Sequence, residues 1–277
     1  MGISKTCIRL YGFFRRHNSF EGLTITKYTV IISGKGGVGK TTTTVNLGLS
    51  LHNLNQRVVA VDTNLVTPNL ALQLGLPPTP ITLHNVLRGE AKVLDTIQTH
   101  ATGLNIIPAG LTLSNGSSRY LGNFREALEP LKGTYDHVLM DCGAGLWGEV
   151  LKSIKIADEA IIVTNPELPA LVDALKAIKI SEKLGVPVRG IVVTKCTGAN
   201  YELKDETIRG ILKGYPILIK VPFDQNIPRS ISMRKPLVSL RPNSRAARAY
   251  KKLAAEFVGA PFEESFFQKA RTRLFGW

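Results

Sequence analysis

The chain has 277 residues, 44% of them hydrophobic and 20% charged, enough for one large core with appended segments. Its three cysteines, Cys7, Cys142 and Cys196, are scattered and form no CxxC pair, which argues against a disulfide framework or a zinc site and fits a reducing, cytoplasmic setting. A net charge of +14 points to an anionic partner such as nucleic acid, anionic lipid or a polyphosphate.

Residues 1–27 are basic and lack the unbroken apolar stretch of a secretory signal. They read either as an N-terminal extension or as a translation start assigned too early. Gly2 and Thr6 match the loose myristoylation pattern, and Ile8, Leu10, Phe13 and Phe14 suit a second basic anchor. No apolar run approaches the ~20 residues that span a bilayer.

From Thr26 onward, short β-branched runs alternate with helical stretches. Strands are predicted at 28–33, 57–62, 104–109, 137–141, 159–164, 188–194 and 216–221. Helices are predicted at 41–54, 119–131, 170–184, 203–212 and 244–258. Most of these strands lack apolar/polar alternation, as expected when helices cover both faces of a sheet. The pattern predicts an α/β fold with a doubly wound, mostly parallel sheet. Residues 28–260 would form that domain and 261–277 a C-terminal tail.

The segment "GKGGVGKTT" directly follows the first strand and opens the first helix, the context that a phosphate-binding loop requires. Gly34, Gly36, Gly37, Val38 and Gly39 would curl backbone amides around phosphate oxygens, aided by the positive end of the helix. Lys40 would neutralise the β- and γ-phosphates, Thr41 would ligate Mg²⁺, and Thr42 would bond an α-phosphate oxygen. ATP and Mg²⁺ are the expected ligands. Lys35 lies five residues too early for the role of Lys40.

This K-G-G-V-G-K-T loop resembles the deviant Walker A loop of the MinD/ParA family of P-loop ATPases. The resemblance implies that Lys35 reaches the nucleotide of a second subunit, as an arginine finger does, making homodimerisation depend on ATP. "AVDTNLVTPNL" is similar to the family's first switch, so Asp62 would hold a Mg²⁺-bound water. The family's second acid is replaced by Asn64, which can orient water but cannot take its proton, so slow hydrolysis is expected. "LMDCGAGLWG" resembles the second switch. It implies that Asp141 bonds the Mg²⁺ shell and that the Gly145 amide senses the γ-phosphate; Gly143 stands where the family has proline. "VVTKC" and "VPFD" resemble the base-binding strand ends, making Thr194, Lys195, Pro222 and Asp224 candidate adenine contacts. Thr197 stands where a guanine-binding motif has aspartate, so adenine is favoured.

The last twelve residues read "FFQKARTRLFGW". At ~100° per residue, Phe266, Phe267, Leu274 and Trp277 share one face with Ala270, while Lys269, Arg271 and Arg273 flank or oppose it and Phe275 falls outside. MinD proteins end in a short basic amphipathic tail of this kind, so the resemblance implies an anionic membrane lipid as partner, with the protein peripheral on the inner face of the cell membrane. Division-site placement and a protein regulator of hydrolysis are likewise implied. Two alternatives stay open. One is a ParA-like ATPase that uses DNA, supported by the acid-free basic stretch from Gln225 to Ala255. The other is an iron–sulfur carrier of the same superfamily, for which the cysteine pattern is wrong.

Overall fold

In a computed structural model, residues 25–110 and 123–262 are described. Eight strands form one sheet: β1 (Lys27–Ile32), β2 (Val58–Asp62), β3 (Gln98–Thr99), β4 (Asn105–Ile107), β5 (His137–Asp141), β6 (Glu159–Thr164), β7 (Val188–Cys196) and β8 (Ile217–Pro222). Their spatial order is β3-β4-β2-β5-β1-β6-β7-β8. Every pairing is parallel except β3 with β4. The seven predicted strands are present; β3, two residues long, has no sequence pattern of its own to betray it.

Ten helices are described: α1 (Lys40–His52), α2 (Leu70–Leu74), α3 (Leu83–Leu87), α4 (Phe124–Leu128), α5 (Glu149–Ile156), α6 (Leu168–Lys183), α7 (Asp205–Ile211), α8 (Asn226–Ser232), α9 (Leu237–Leu240) and α10 (Arg245–Val258). The predicted helix at 119–131 begins outside the described residues and is broken into α4 and a 3₁₀ turn, Glu129–Leu131, by Pro130. α6 starts two residues earlier than predicted, because Pro169 is accommodated in a first turn where its missing N–H costs nothing.

The central strands are apolar on both faces because both are covered. Val30, Ile32, Val138 and Ile162 point into one layer with Leu128, Ile154, Leu171 and Ile178 from α4, α5 and α6. Ile31, Leu139, Ile161 and Val192 point into the other with Val45, Leu49, Tyr250 and Leu253 from α1 and α10. α1 carries four consecutive threonines, a poor helix-forming run. Burial between sheet and α10 overrides that propensity, and the hydroxyls find partners. Thr43 meets the Tyr250 hydroxyl at 3.3 Å, and Thr44 donates to Lys40 O and to Asp141 Oδ1, both at 3.1 Å.

This topology fixes where chemistry can occur. β1 lies between β5 and β6, so the chain leaving its C-terminal end enters the crevice where successive crossovers diverge, the usual ligand position in an open α/β sheet. Among the described residues no helix is long and apolar enough to cross a membrane.

Candidate nucleotide and magnesium site

The loop from Ser33 to Gly39 connects β1 to α1, and Gly37 and Gly39 hold left-handed backbone angles, with φ +74° and +99°. Thr43 N donates the first backbone bond of the helix, to Gly39 O at 2.9 Å. The amides of Lys40, Thr41 and Thr42 therefore have no intrahelical acceptor and face the crevice as anion donors. Gly34 answers a different constraint. A Cβ there would lie 2.5 Å from both Asp173 Cβ and Asp173 O, so the loop passes in contact with the α6 backbone. Gly34→Ala is expected to push the loop off α6, destabilising the fold by about 1–3 kcal/mol and weakening ADP binding at least tenfold. Chemical denaturation and calorimetric titration measure the two effects.

The two lysines of the loop occupy opposite environments. Lys40 is 8% exposed, and its Nζ donates to Ser33 Oγ at 2.9 Å. Ser33 Oγ in turn donates to Lys35 O at 2.6 Å. Burial pushes the Lys40 pKa down, and the neighbouring Asp141 carboxylate opposes that shift. The Lys35 side chain is 36% exposed and pairs with Glu167 Oε2 at 3.1 Å on the rim. Glu167 precedes the first turn of α6, where the helix dipole favours a carboxylate.

The acids at the ends of β2 and β5 are neighbours by register, Asp62 opposite Asp141. Asp141 Oδ2 accepts from Thr41 Oγ1 at 2.6 Å and Oδ1 accepts from Thr44 Oγ1 at 3.1 Å. Burial raises the Asp141 pKa, while Thr41 and Lys40 lower it in part. Asp62 is fully buried. Its Oδ1 accepts from Asn64 N at 3.1 Å, and Oδ2 accepts from Asn69 N and Leu70 N, both at 3.0 Å. Burial raises its pKa to about 8, Asp141 adds to that rise, and the three amides counter it.

Two buried carboxylates beside one hydroxyl make an oxygen-only donor set that suits Mg²⁺. The Thr41 hydroxyl spends its hydrogen on Asp141, which leaves its lone pairs to serve a cation. Thr41 would ligate the metal directly, with Asp141 and Asp62 holding its water shell. Bound there, magnesium supplies positive charge to the β- and γ-phosphate oxygens of ATP.

Other expected site residues are engaged within the chain. Asn64 closes a turn: its Oδ1 accepts from Thr67 N and Thr67 Oγ1, both at 3.2 Å, and its Nδ2 donates to Thr67 O. The amide is consumed by a turn. Gly143, where the second switch lacks its proline, lies beside that turn, and a Cβ there would be 3.0 Å from Asn64 Oδ1. The two departures from the family pattern touch each other. Thr194 lies beneath the phosphate loop. It is buried, its hydroxyl donates to Val38 O, and it accepts from Asn165 Nδ2 at 2.8 Å, so it braces the phosphate loop from beneath. Asp224 Oδ1 accepts from Asn226 N and Nδ2, both at 2.8 Å, closing the turn that leads into α8.

Lys195 stays at the loop, with Nζ donating to Gly37 O at 2.8 Å. Pro222 ends β8 in register with Cys196. Phe223, the residue after Pro222 within the same "VPFD" segment, is exposed at the strand end. Gly145 takes φ +91°, and the Trp147 ring covers it so closely that a Cβ would sit 2.7 Å from the ring. Trp147 is itself 72% exposed. Ser33, Thr44, Asn165 and Glu167 were missed. The unbroken threonine run and the "TNPE" segment were the only sequence signals for them. Phe266, Phe267, Lys269, Arg271, Arg273, Leu274, Phe275 and Trp277 lie outside the described residues.

The comparisons with known proteins agree with this geometry. The ParA family profile, described as a NUBPL iron-transfer P-loop NTPase, matches residues 24–258. An uncharacterised ATP-binding protein of Methanocaldococcus jannaschii is 36% identical over 253 residues, covering 89% of this chain and 96% of that protein. The septum site-determining protein MinD of Pyrococcus horikoshii, solved with Mg-ADP, is 34% identical with a TM-score of 0.78, covering 84% of this chain and 96% of that one. The MinC:MinD cell division complex of Aquifex aeolicus contains a chain 27% identical with a TM-score of 0.75, covering 86% of this chain and 98% of its own. With a phosphate loop, two switch carboxylates and a magnesium-fit hydroxyl set on this sheet, the chain belongs to the ParA family of P-loop NTPases and is a MinD/ParA-type ATPase that works with magnesium.

Proposed function

We propose that this ATPase dimerises on ATP, that the dimer resides on anionic membrane through its C-terminal tails, and that hydrolysis releases it, so that it marks position for division-site placement. The observation that carries this reading is the split between the two loop lysines. Lys40 is buried in the loop floor, whereas Lys35 stands exposed on the rim in a single ion pair with an exposed carboxylate, Glu167. An exposed pair of this kind is worth at most about 1 kcal/mol, so a second subunit's triphosphate can draw the ammonium away.

Tail and nucleotide then act together. One short amphipathic tail is a marginal anchor, and two tails joined through a dimer bind with the avidity of an intramolecular second contact. The protein would be cytoplasmic when monomeric and peripheral on the inner membrane face when dimeric. The Aquifex aeolicus MinC:MinD complex supports a protein partner.

The expected result is that the whole chain sediments as a dimer with ATP and as a monomer with ADP, while Lys35→Ala remains monomeric with both. Dimerisation of Lys35→Ala to the wild-type extent overturns the reading.

A specific feature favours the ParA-like alternative, in which DNA is the surface. Arg229, Arg234, Lys235 and Arg241 are exposed, and Lys252 continues this basic region on α10. Part of that charge is already engaged, with Lys251 Nζ donating to Pro242 O at 2.8 Å and Lys252 3.9 Å from Glu256. The iron-carrier reading has less support. Cys142 and Cys196 lie far apart in the sequence and the chain has no CxxC pair.

A further inference from the structure

Beside the phosphate loop, the ends of β7 and β8 hold a carboxylate that takes no part in the magnesium set. Near the end of β7, Lys195 takes a left-handed φ of +58°, uncommon outside glycine, and its ammonium reaches across to Gly37 O at 2.8 Å. Thr194, one residue earlier, donates to Val38 O. Two consecutive residues of β7 are thus bonded to two consecutive carbonyls of the phosphate loop. The chain continues through Cys196 to Thr197, and Phe223 N donates to Cys196 O at 2.8 Å, so the exposed Phe223 stands alongside.

In a Thr-Lys-x-Asp guanine site, the aspartate two residues after the lysine accepts from the base, and that position here is Thr197. The fold returns a carboxylate to the same point from five residues further on. Glu202 Oε1 accepts from Thr197 N at 2.5 Å and from Thr197 Oγ1 at 2.6 Å, and Oε2 accepts from Gly198 N at 2.9 Å. Burial acts to raise the Glu202 pKa, but these bonds and the nearby Lys220 charge outweigh it and hold the carboxyl below its usual range, so it is ionised at neutral pH. Lys220 is itself paired with Asp205. A carboxylate has about four lone-pair positions. The bonds from Thr197 and Gly198 fix the side chain in place and leave Oε2 able to accept once more.

The charge at that point decides which purine edge it suits. Guanine presents two neighbouring donors, N1–H and the 2-amino group, and an anionic acceptor complements them. Adenine presents N1 as an acceptor beside its 6-amino group, and a carboxylate repels it. Stacking on Phe223 would not choose between them, since every base has a π-face. We infer that this site binds guanine nucleotides as well as adenine nucleotides, with Glu202 supplying the acceptor that Thr197 lacks. The inference rests on the nucleotide site alone and is independent of dimerisation and of the membrane reading.

Calorimetric titration of the full chain with ADP, GDP and inosine diphosphate, each with magnesium, tests it. Inosine diphosphate is GDP without the 2-amino group. The wild type is expected to bind GDP within about tenfold of ADP, and inosine diphosphate about tenfold more weakly than GDP, the usual worth of one hydrogen bond to a charged acceptor. Glu202→Ala should erase the preference for GDP over inosine diphosphate while ADP still binds, which shows that the fold and the phosphate loop are intact. Adding Thr197→Asp to Glu202→Ala should restore that preference, because the carboxylate is then supplied from the position the guanine motif uses. A wild-type chain that binds ADP but binds GDP more than about a hundredfold more weakly overturns the inference. So does equal affinity of the wild type for GDP and inosine diphosphate. If Glu202→Ala weakens all three nucleotides by the same factor, Glu202 only braces the loop and its assignment to guanine is wrong.

Discussion

Lys40→Met is expected to reduce kcat for ATP by about 10²- to 10³-fold, the usual loss when one preorganised positive donor to a developing charge is removed. The argument begins with desolvation. The ammonium sits in the floor of the loop at 8% exposure, bonded to Ser33 Oγ, so its hydration was surrendered on folding. Its burial lowers its pKa, which means the charged form is held at a cost in the empty protein. Phosphate oxygens offset that cost, so the interaction is strongest when the nucleotide is bound and charge is moving. Methionine keeps the length and apolar stem and removes the charge. Thermal unfolding of the nucleotide-free protein should therefore shift little, while ADP affinity and turnover both fall. A variant with normal turnover would show that Lys40 does not meet the phosphates.

The second large effect concerns Asp62 and its neighbour Asp141. In buffer free of nucleotide and magnesium, stability should fall as pH rises toward about 8, the value to which burial and Asp141 push the Asp62 carboxyl, and level off above it. The sign follows from proton counts. A carboxyl whose folded pKa is raised keeps its proton in the folded state after the unfolded chain has lost it. The folded state thus binds more protons between the ordinary carboxylate range and about pH 8, and stability declines across that window. Over the interval measured below, the decline should amount to about 1 kcal/mol and be flattened in Asp62→Asn. Buried His84, His100 and His137 have lowered pKa values and act in the opposite sense, in the mildly acidic range. Urea midpoints between about pH 7 and pH 9 avoid them. Magnesium with ADP should restore much of the lost stability in the wild-type protein, because a cation beside two ionised carboxylates removes the reason for their protonation. Equal slopes for wild type and Asp62→Asn would refute the assignment.

The same two residues show how far the sequence could be read. Asp62 and Asp141 each end an apolar β-branched run, and such a position in a parallel sheet sits at the ligand edge wherever the strands are placed. That Asp62 lies opposite Asp141 is a fact of strand order, invisible before β2 and β5 were paired. The side-chain directions of Thr194 and Asp224 were illegible for a related reason. Each sits at a strand end, as a base contact should, but one points under the phosphate loop and the other closes the turn into α8, and side-chain direction at a strand end is set by what packs there. Asn64 and Gly143 looked like two unrelated departures from a family pattern; the structure makes them one local packing solution.

What the sequence determined by itself was the local and the periodic: the phosphate loop with its two lysines, the parallel α/β architecture, and the acids that end apolar strands. These signals are legible because each is written within a few consecutive residues, where backbone geometry and burial act directly on the local chain. Only the tertiary structure decided that Lys35 is exposed beside Glu167 while Lys40 is buried, that Gly34 clears a path past α6, and that Lys27 and Phe257 share one charged cluster. Those facts join residues more than a hundred positions apart, and contact between such residues is created by packing the sheet and its helices together.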